Sequence, residues 1–395
     1  MPGSLDGVRV LDLTRALAGP YCSLMLGDMG AEVVKVELPG SGDETRGWGP
    51  PFIEGESSYF LSINRNKKSL TLDMKRPEGR EILRRLVQRS DVLVENFRPG
   101  TMGRLGMSYD EAAGLNPRLI YCSISGFGQT GPRAGQPAYD QIVQGMGGGM
   151  SLTGPVEGPP TKFGIPIGDI AAGMFGAYAV ACALYVREST GRGQWIDTSM
   201  LGGQVALLTF QAGRYFATGQ PPGLAGNRHP SIAPYETFVA SDGYVNVGCG
   251  TEGMWRRFCG ALGLDELLED PRFATNRDRV SNREPLSERI QRRFAELTVA
   301  EAIGTLEAAE VPCGPVSTLA EVFADPQTEH LELRQRVVHP IAGETSVTGF
   351  PWKLSETPAE VRSPAPLLGE HTDAVLRELG YGEEDIERLR SERVV

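Results

Sequence analysis

The sequence predicts an α/β fold: a Rossmann-like large domain on a parallel sheet, with a smaller inserted α+β domain. Three observations carry this. "VRVLDL" (Val8–Leu13), the helical "GPYCSLMLGDMG" and "AEVVKVE" (Ala31–Glu37) follow one another as apolar run, helix and apolar run, the opening of a βαβ unit. The same rhythm continues to about residue 200. After "GQPPGLAGNRHPSIAPY" the texture changes, and Gly/Pro punctuation gives way to two strand-like segments and three helical ones.

Taken in order, Pro20 is suited to the first turn of the first helix. "SLTLDM" reads as a strand, "EGREILRRLVQRS" as an amphipathic helix, and "DVLVENF" and "LIYCSISGFG" as two more strands. A Gly-rich loop containing "GMGGGM" leads into a helix over Ile170–Val186, the strand "WIDTSM" (Trp195–Met200) and a helix over Leu201–Ala217. In the second unit, strands are expected near "YETFVA" and "YVNVGCG", and helices at Thr251–Leu262, Pro285–Leu297 and Val299–Glu307. "VPCGPV" closes that unit. From Thr345 the pattern gives one more strand, then two short helices in "GEHTDAVLRELG" and "GEEDIERLRSE". The expected organisation is a large domain over 1–200, a linker over 201–225, a small domain over 226–325, and 326–395 returning to the large domain.

Composition narrows the function. The 395 residues carry a net charge of −11, which leaves no broad basic face for nucleic acid. A small polyanionic ligand, which needs only a local cluster of cations, stays allowed. Cysteines 22, 122, 182, 249, 259 and 313 form no C-x-x-C pair, and there are four histidines, so no metal site is expected. Scattered cysteines and an N-terminus without a basic, then apolar, leader read as a reduced, cytoplasmic protein. Ile170–Val186 is uncharged and near spanning length, but its Ala/Gly content reads as a buried core helix rather than a membrane segment.

The first strand–helix turn invites a dinucleotide reading, with Glu37 ending the next strand where a ribose-binding acid would sit. The turn is "TRALAGPY", however, and lacks the glycines that admit a pyrophosphate. A second carboxylate matters more. In "GIPIGDIAAG", Asp169 precedes a long run of small apolar residues. It is placed to cap a helix, and equally to act as a nucleophile in the positive field of the helix start. At its ordinary pKa it would be ionised at neutral pH. Gly168 leaves room beside it for a ligand.

"LDGVRVLDLTRALAGPYC", "GDMGAEVVKVELPGSGDETRGWGPP", "NRNKKSLTLDMKRPEGR", "DVLVENFRPG", "IPIGDIAAG", "TGRGQWIDTSM", "VPCGPV" and "PLLGEHTDAVLRELG" run collinearly from residue 5 to residue 380. Together they resemble the class III CoA-transferases, the family of formyl-CoA:oxalate transferase. "SINRNKKSL" and "YCSISGFGQTGP" are closest to the branch resembling succinate–hydroxymethylglutarate CoA-transferase. The resemblance implies that Asp169 is the nucleophile, forming an aspartyl mixed anhydride and then an aspartyl-CoA thioester. It also implies an interlocked homodimer, its chains passing through each other like linked rings. The partners would be acyl-CoA, most plausibly succinyl-CoA, and small, probably dicarboxylic, acids. Coenzyme A is then a substrate, and no permanently bound cofactor is expected.

The remaining candidates follow from the matched motifs. The resemblance implies that Ala18, "LDMK" (Leu72, Asp73, Met74, Lys75), "NFR" (Asn96, Phe97, Arg98) and Arg104 bind CoA. Arg65, Lys67 and Lys68 are further cations suited to its phosphates, each equally readable as a surface charge. Oxalate-specific relatives carry His and Gln where this chain has Arg15 and Leu17, and a Gly-rich lid is not visible. Arg15, with Arg46 or Arg228, is therefore expected to bind the distal carboxylate of a dicarboxylate, against the alternative of a structural ion pair. His229 either touches substrate or packs its loop. Tyr139 and Asp140 address a rival of the same fold, the 2-methylacyl-CoA racemases, whose histidine would align near Tyr139; a tyrosine is a poor α-proton base at neutral pH. The racemase and a non-catalytic acyl-CoA binding protein stay as alternatives. Short dicarboxylates differ by pocket adjustments of roughly 1–3 kcal/mol, which no motif resolves.

Overall fold

The computed structural model describes residues 2–395. Six strands build the main sheet: β1 (Arg9–Asp12), β2 (Glu32–Glu37), β3 (Lys67–Thr71), β4 (Val92–Glu95), β5 (Ile120–Ser125) and β6 (Trp195–Ser199). Their order is β3-β2-β1-β4-β5-β6 and every adjacent pair is parallel. The order reverses between β1 and β4. Ligands of open parallel sheets bind at such a reversal, outside the carboxyl ends of the strands.

Period-two alternation explains why both faces are covered. Leu11, Leu93 and Tyr121 point into one core with Ile82, Leu86, Leu376 and Ile386. Their neighbours Val10, Val92, Val94, Ile120 and Cys122 point into the other with Cys22, Ala172, Ala177 and Val180. A strand buried on both faces reads as a continuous apolar run, which is how "VLV" and "LIYC" read in the sequence.

The long helix spans Ile167–Thr190 and stops where Gly191 turns left-handed at φ 68°. It packs along the Ala18–Asp28 helix. A Cβ at Gly173 would stand 2.6 Å from the Ala18 carbonyl oxygen, so the close crossing requires glycine there. The expected buried core helix is buried along one side. Ala172, Gly176, Val180 and Ala183 are covered, while Met174, Phe175, Tyr178, Tyr185 and Val186 are exposed on this chain. By length and composition the helix could cross a membrane, and half of it is buried inside the fold. With no charge between Ile170 and Val186, the sequence pattern could not separate the two sides of that stretch.

The chain divides into two compact units. The first takes the residues up to 150, then Lys162–Gln220 and Gln327–Val395; the second takes Ser151–Thr161 and Pro221–Pro326. The stretch expected as a linker from 201 is helical over most of its length. The single helix expected there is two, Met200–Leu207 and Thr209–Thr218, broken at Thr209, whose φ is 41°. In the second unit, Tyr235–Val239, Tyr244–Gly248 and Cys313–Pro315 form an antiparallel sheet. Helices Glu252–Leu262, Arg283–Ala295 and Val299–Ala308 close over it on Phe238, Trp255, Phe258 and Phe294. Back in the first unit, Gly343–Thr348 pairs with Arg334–His339, a strand the sequence did not reveal.

Candidate active site

Beyond the carboxyl edge of the main sheet, at the reversal in strand order, lies a cavity of about 290 Å³. Three loops build its walls. Arg15, Ala16, Leu17 and Ala18 follow β1; Asn96, Phe97 and Arg98 follow β4; Ser125 and Gly126 end β5. Tyr139 and Asp169 complete it. The N-termini of the Ala18–Asp28 and Ile167–Thr190 helices both open onto this space, and the positive field of a helix start favours anionic ligands there.

Asp169 does not cap its helix. Pro166 holds the cap position and Asp169 lies in the first turn. The capping is done by another carboxylate. Asp140 Oδ1 accepts the Gly168 N–H at 2.8 Å, and Asp140 Oδ2 accepts from Gln144 Nε2 at 2.7 Å. Gln144 in turn accepts the Phe163 N–H at 2.8 Å, so one short helix, Asp140–Met146, fixes the approach to the helix that carries Asp169. Asp169 is thereby free to face the cavity. A Cβ at 168 would stand 3.0 Å from Asp140 Oδ1, which is why glycine precedes the aspartate.

Asp169 is half-buried, and its pKa is pushed up to about 7, first by loss of solvent and then by the Asp140 charge. This corrects the expectation of a fully ionised group at neutral pH. Tyr59, which the sequence analysis passed over, is pushed up to about 12 by burial and by the charges of Asp169, Asp140 and Asp43, and its ring meets Trp48 edge-on at 5.2 Å. No motif signals it; only the folded chain brings it near the two carboxylates. Glu44, also on the cavity wall, was missed for the same reason.

Several predicted binding residues lie elsewhere. Leu72 is buried in the core, and Asp73, Met74, Lys75 and Arg104 do not line this cavity. Asp73 turns its carboxylate back to the Lys75 N–H, and Arg104 donates to Thr101. Asp140 sits behind the wall as the cap. Arg65 is engaged by Asp28 through Nε and Nη2, and Lys67 is buried against Asp12; neither lines this cavity. Lys68 pairs with Glu32. Arg46 is likewise committed, giving Glu37 two bonds of 2.7 and 2.8 Å while lying over the Phe60 ring. Arg228 and His229 belong to the second unit. There Arg228 pairs with Glu284 and Glu236, and His229 stacks on Tyr235 at 5.1 Å. Arg15 differs from these arginines: its guanidinium rests 5.5 Å from the Phe97 ring centroid at the cavity wall, with no ion pair among the described residues.

A comparison with known families matches residues 5–372 to CoA-transferase family III. A mouse succinyl-CoA:glutarate CoA-transferase is 43% identical over 392 residues, covering 99% of this chain and 90% of that protein. An acetyl-CoA:oxalate CoA-transferase of Acetobacter aceti is 42% identical over 384 residues, covering 96% of this chain and 97% of that one. The crystal structure of a CAIB/BAIF family protein from Brucella suis superposes with a TM-score of 0.87 at 42% identity, covering 96% of this chain and all of that one.

Proposed function

The chain belongs to CoA-transferase family III, and from that premise we propose that it moves coenzyme A from succinyl-CoA to a second short dicarboxylic acid, with Asp169 as the nucleophile. The observation that carries this reading is a carboxylate in the first turn of a helix, facing a cavity at the reversal of a parallel sheet. Both relatives named above carry a dicarboxylate in their names, glutarate and oxalate, which supports the acceptor class.

The chemistry needs no proton transfer. A carboxylate oxygen of Asp169 attacks the thioester carbonyl; the C–S bond breaks, giving a mixed anhydride and CoA thiolate. The thiolate then attacks the aspartyl carbonyl, the anhydride C–O bond breaks, and succinate leaves an aspartyl-CoA thioester. The acceptor carboxylate attacks that thioester and releases thiolate, which takes the acceptor acyl group and restores the aspartate. Backbone N–H groups at the two helix starts are suited to the tetrahedral oxyanions. Asn96, Phe97 and Arg98 are assigned to CoA, and Arg15 with Leu17 to the acid. A homodimer, interlocked as the resemblance implies, would cover the exposed Tyr178, Tyr185, Phe210 and Phe216.

Incubation with succinyl-CoA followed by borohydride or hydroxylamine trapping and peptide mass analysis tests the reading. A covalent change is expected on the peptide containing Asp169. Tight binding with no adduct would instead favour a non-catalytic acyl-CoA binder, and α-proton exchange in D₂O without any acceptor acid would favour a racemase.

A further inference from the structure

β1 stops pairing after the Leu13 N–H reaches the Val94 carbonyl at 2.9 Å. The next three residues have no sheet partner, Arg15 and Ala16 among them line the cavity, and side chains hold their backbone instead. Asp12 Oδ1 accepts the Thr14 N–H at 2.8 Å. Lys35 Nζ donates to the Thr14 carbonyl at 2.8 Å. Asn96 brackets Arg15, accepting its N–H at 2.9 Å and donating to its carbonyl at 2.8 Å. Asp43 Oδ1 accepts from the Ala16 N–H at 3.3 Å. Ala16 itself is left-handed, at φ 60°, a conformation unfavourable for a non-glycine residue that persists only where surroundings enforce it.

Two of these groups are joined. Lys35 Nζ and Asp43 Oδ2 lie 2.8 Å apart with both side chains almost fully buried. Asp43 also accepts from the Thr45 N–H and hydroxyl at 3.0 and 2.8 Å, capping the short turn Glu44–Gly47 that sets Glu44 on the cavity wall. A buried ion pair is a poor stabiliser compared with well-packed apolar residues of the same size. Its directional bonds are what an apolar pair could not supply, and here they end on the backbone of the cavity loop.

We infer that the Lys35–Asp43 pair is a positioning device for acceptor recognition: it fixes the backbone that presents Arg15 to the distal carboxylate of the incoming dicarboxylic acid. The inference rests on the assignment of Arg15 made above. Positioning errors of the order of 1 Å are costly to recognition, and Lys35 and Asp43 act through Arg15 without touching substrate.

The test is steady-state kinetics with succinyl-CoA as donor and glutarate or butyrate as acceptor. Asp43→Asn should raise the KM for glutarate about tenfold, leave kcat within about threefold, and leave the KM for butyrate nearly unchanged. Thr45→Val, which removes one bond to Asp43 and leaves every charge in place, should show the same selectivity at about threefold, and it serves if Asp43→Asn does not fold. In an Arg15→Met background, Asp43→Asn and Thr45→Val should add nothing further to the glutarate KM. Effects that multiply in that background, or that fall equally on glutarate and butyrate, overturn the inference. If Arg15→Met itself leaves the preference for glutarate intact, it is the assignment of Arg15 that fails, and the two failures are told apart by that single variant.

Discussion

Asp140 Oδ1 accepts the N–H of Gly168 at 2.8 Å, so one carboxylate holds the start of the helix that carries the next residue, Asp169, the nucleophile proposed above. The same contact that fixes the nucleophile places a like charge beside it. Asp140 is the second cause, after burial, of the Asp169 pKa lying near 7.

The attacking form of Asp169 is the ionised one. With a pKa of about 7, kcat/KM should fall on the acid side of neutrality, by about tenfold per pH unit. Asp140→Asn retains an acceptor for the Gly168 N–H and removes the charge. Its acid limb should move to lower pH yet stay above the ordinary carboxylate range, because burial is the larger cause. A pH–rate profile of both proteins measures this; an unmoved limb would exclude the charge of Asp140 as a cause.

Asp169 should also destabilise the fold at the pH where it works. A carboxyl group whose folded pKa is raised favours the folded state when protonated. The penalty is absent below about pH 4, grows through the interval up to about pH 7, and is complete above it. Asp169→Asn should therefore raise Tm by about 2 °C or more at pH 8 and change it little at pH 4, while activity falls roughly a thousandfold or more. Thermal unfolding at the two pH values decides.

Arg15→Met should raise the KM for glutarate by about 10- to 100-fold, the cost of one hydrogen-bonded charge pair, with a much smaller change for butyrate. Competition between the two acids, followed by mass analysis of the product thioesters, reads the ratio directly.

Arg46→Met should behave oppositely. Its guanidinium is spent on Glu37, so removing it leaves a buried carboxylate unpaired and costs about 3–5 kcal/mol of stability. Substrate preference in the surviving folded enzyme should be unchanged. Denaturant unfolding alongside the acid panel separates the two effects.

These two arginines mark the boundary of what sequence can reveal. The sheet was legible because "VLV" and "LIYC" are short continuous apolar runs of strand length, as strands buried on both faces must be. Arg15, Leu17, Ala18 and Asn96–Arg98 were singled out through the resemblance alone; that they line one cavity follows from the strand ends after β1 and β4 converging at the reversal in order. Which cation keeps a free charge was not legible: Arg46 finds Glu37 nine residues back, and Lys67 finds Asp12 on a different strand. The spacing around Asp169 reads as a helix cap, and only the resemblance made it a nucleophile. That its cap comes from Asp140 depends on a contact across 28 positions of chain. Tyr59 and Glu44 carry no pattern at all, and the folded chain alone brings them to the site.

The strand order has a consequence for how such an enzyme can change. On the proposed assignments, acid recognition hangs from the loop after β1, whereas the bond-making carboxylate arrives on a helix some 150 residues later in the chain. Libraries confined to the short β1 connection should therefore shift the choice of diacid while leaving the carboxylate on the distant helix untouched.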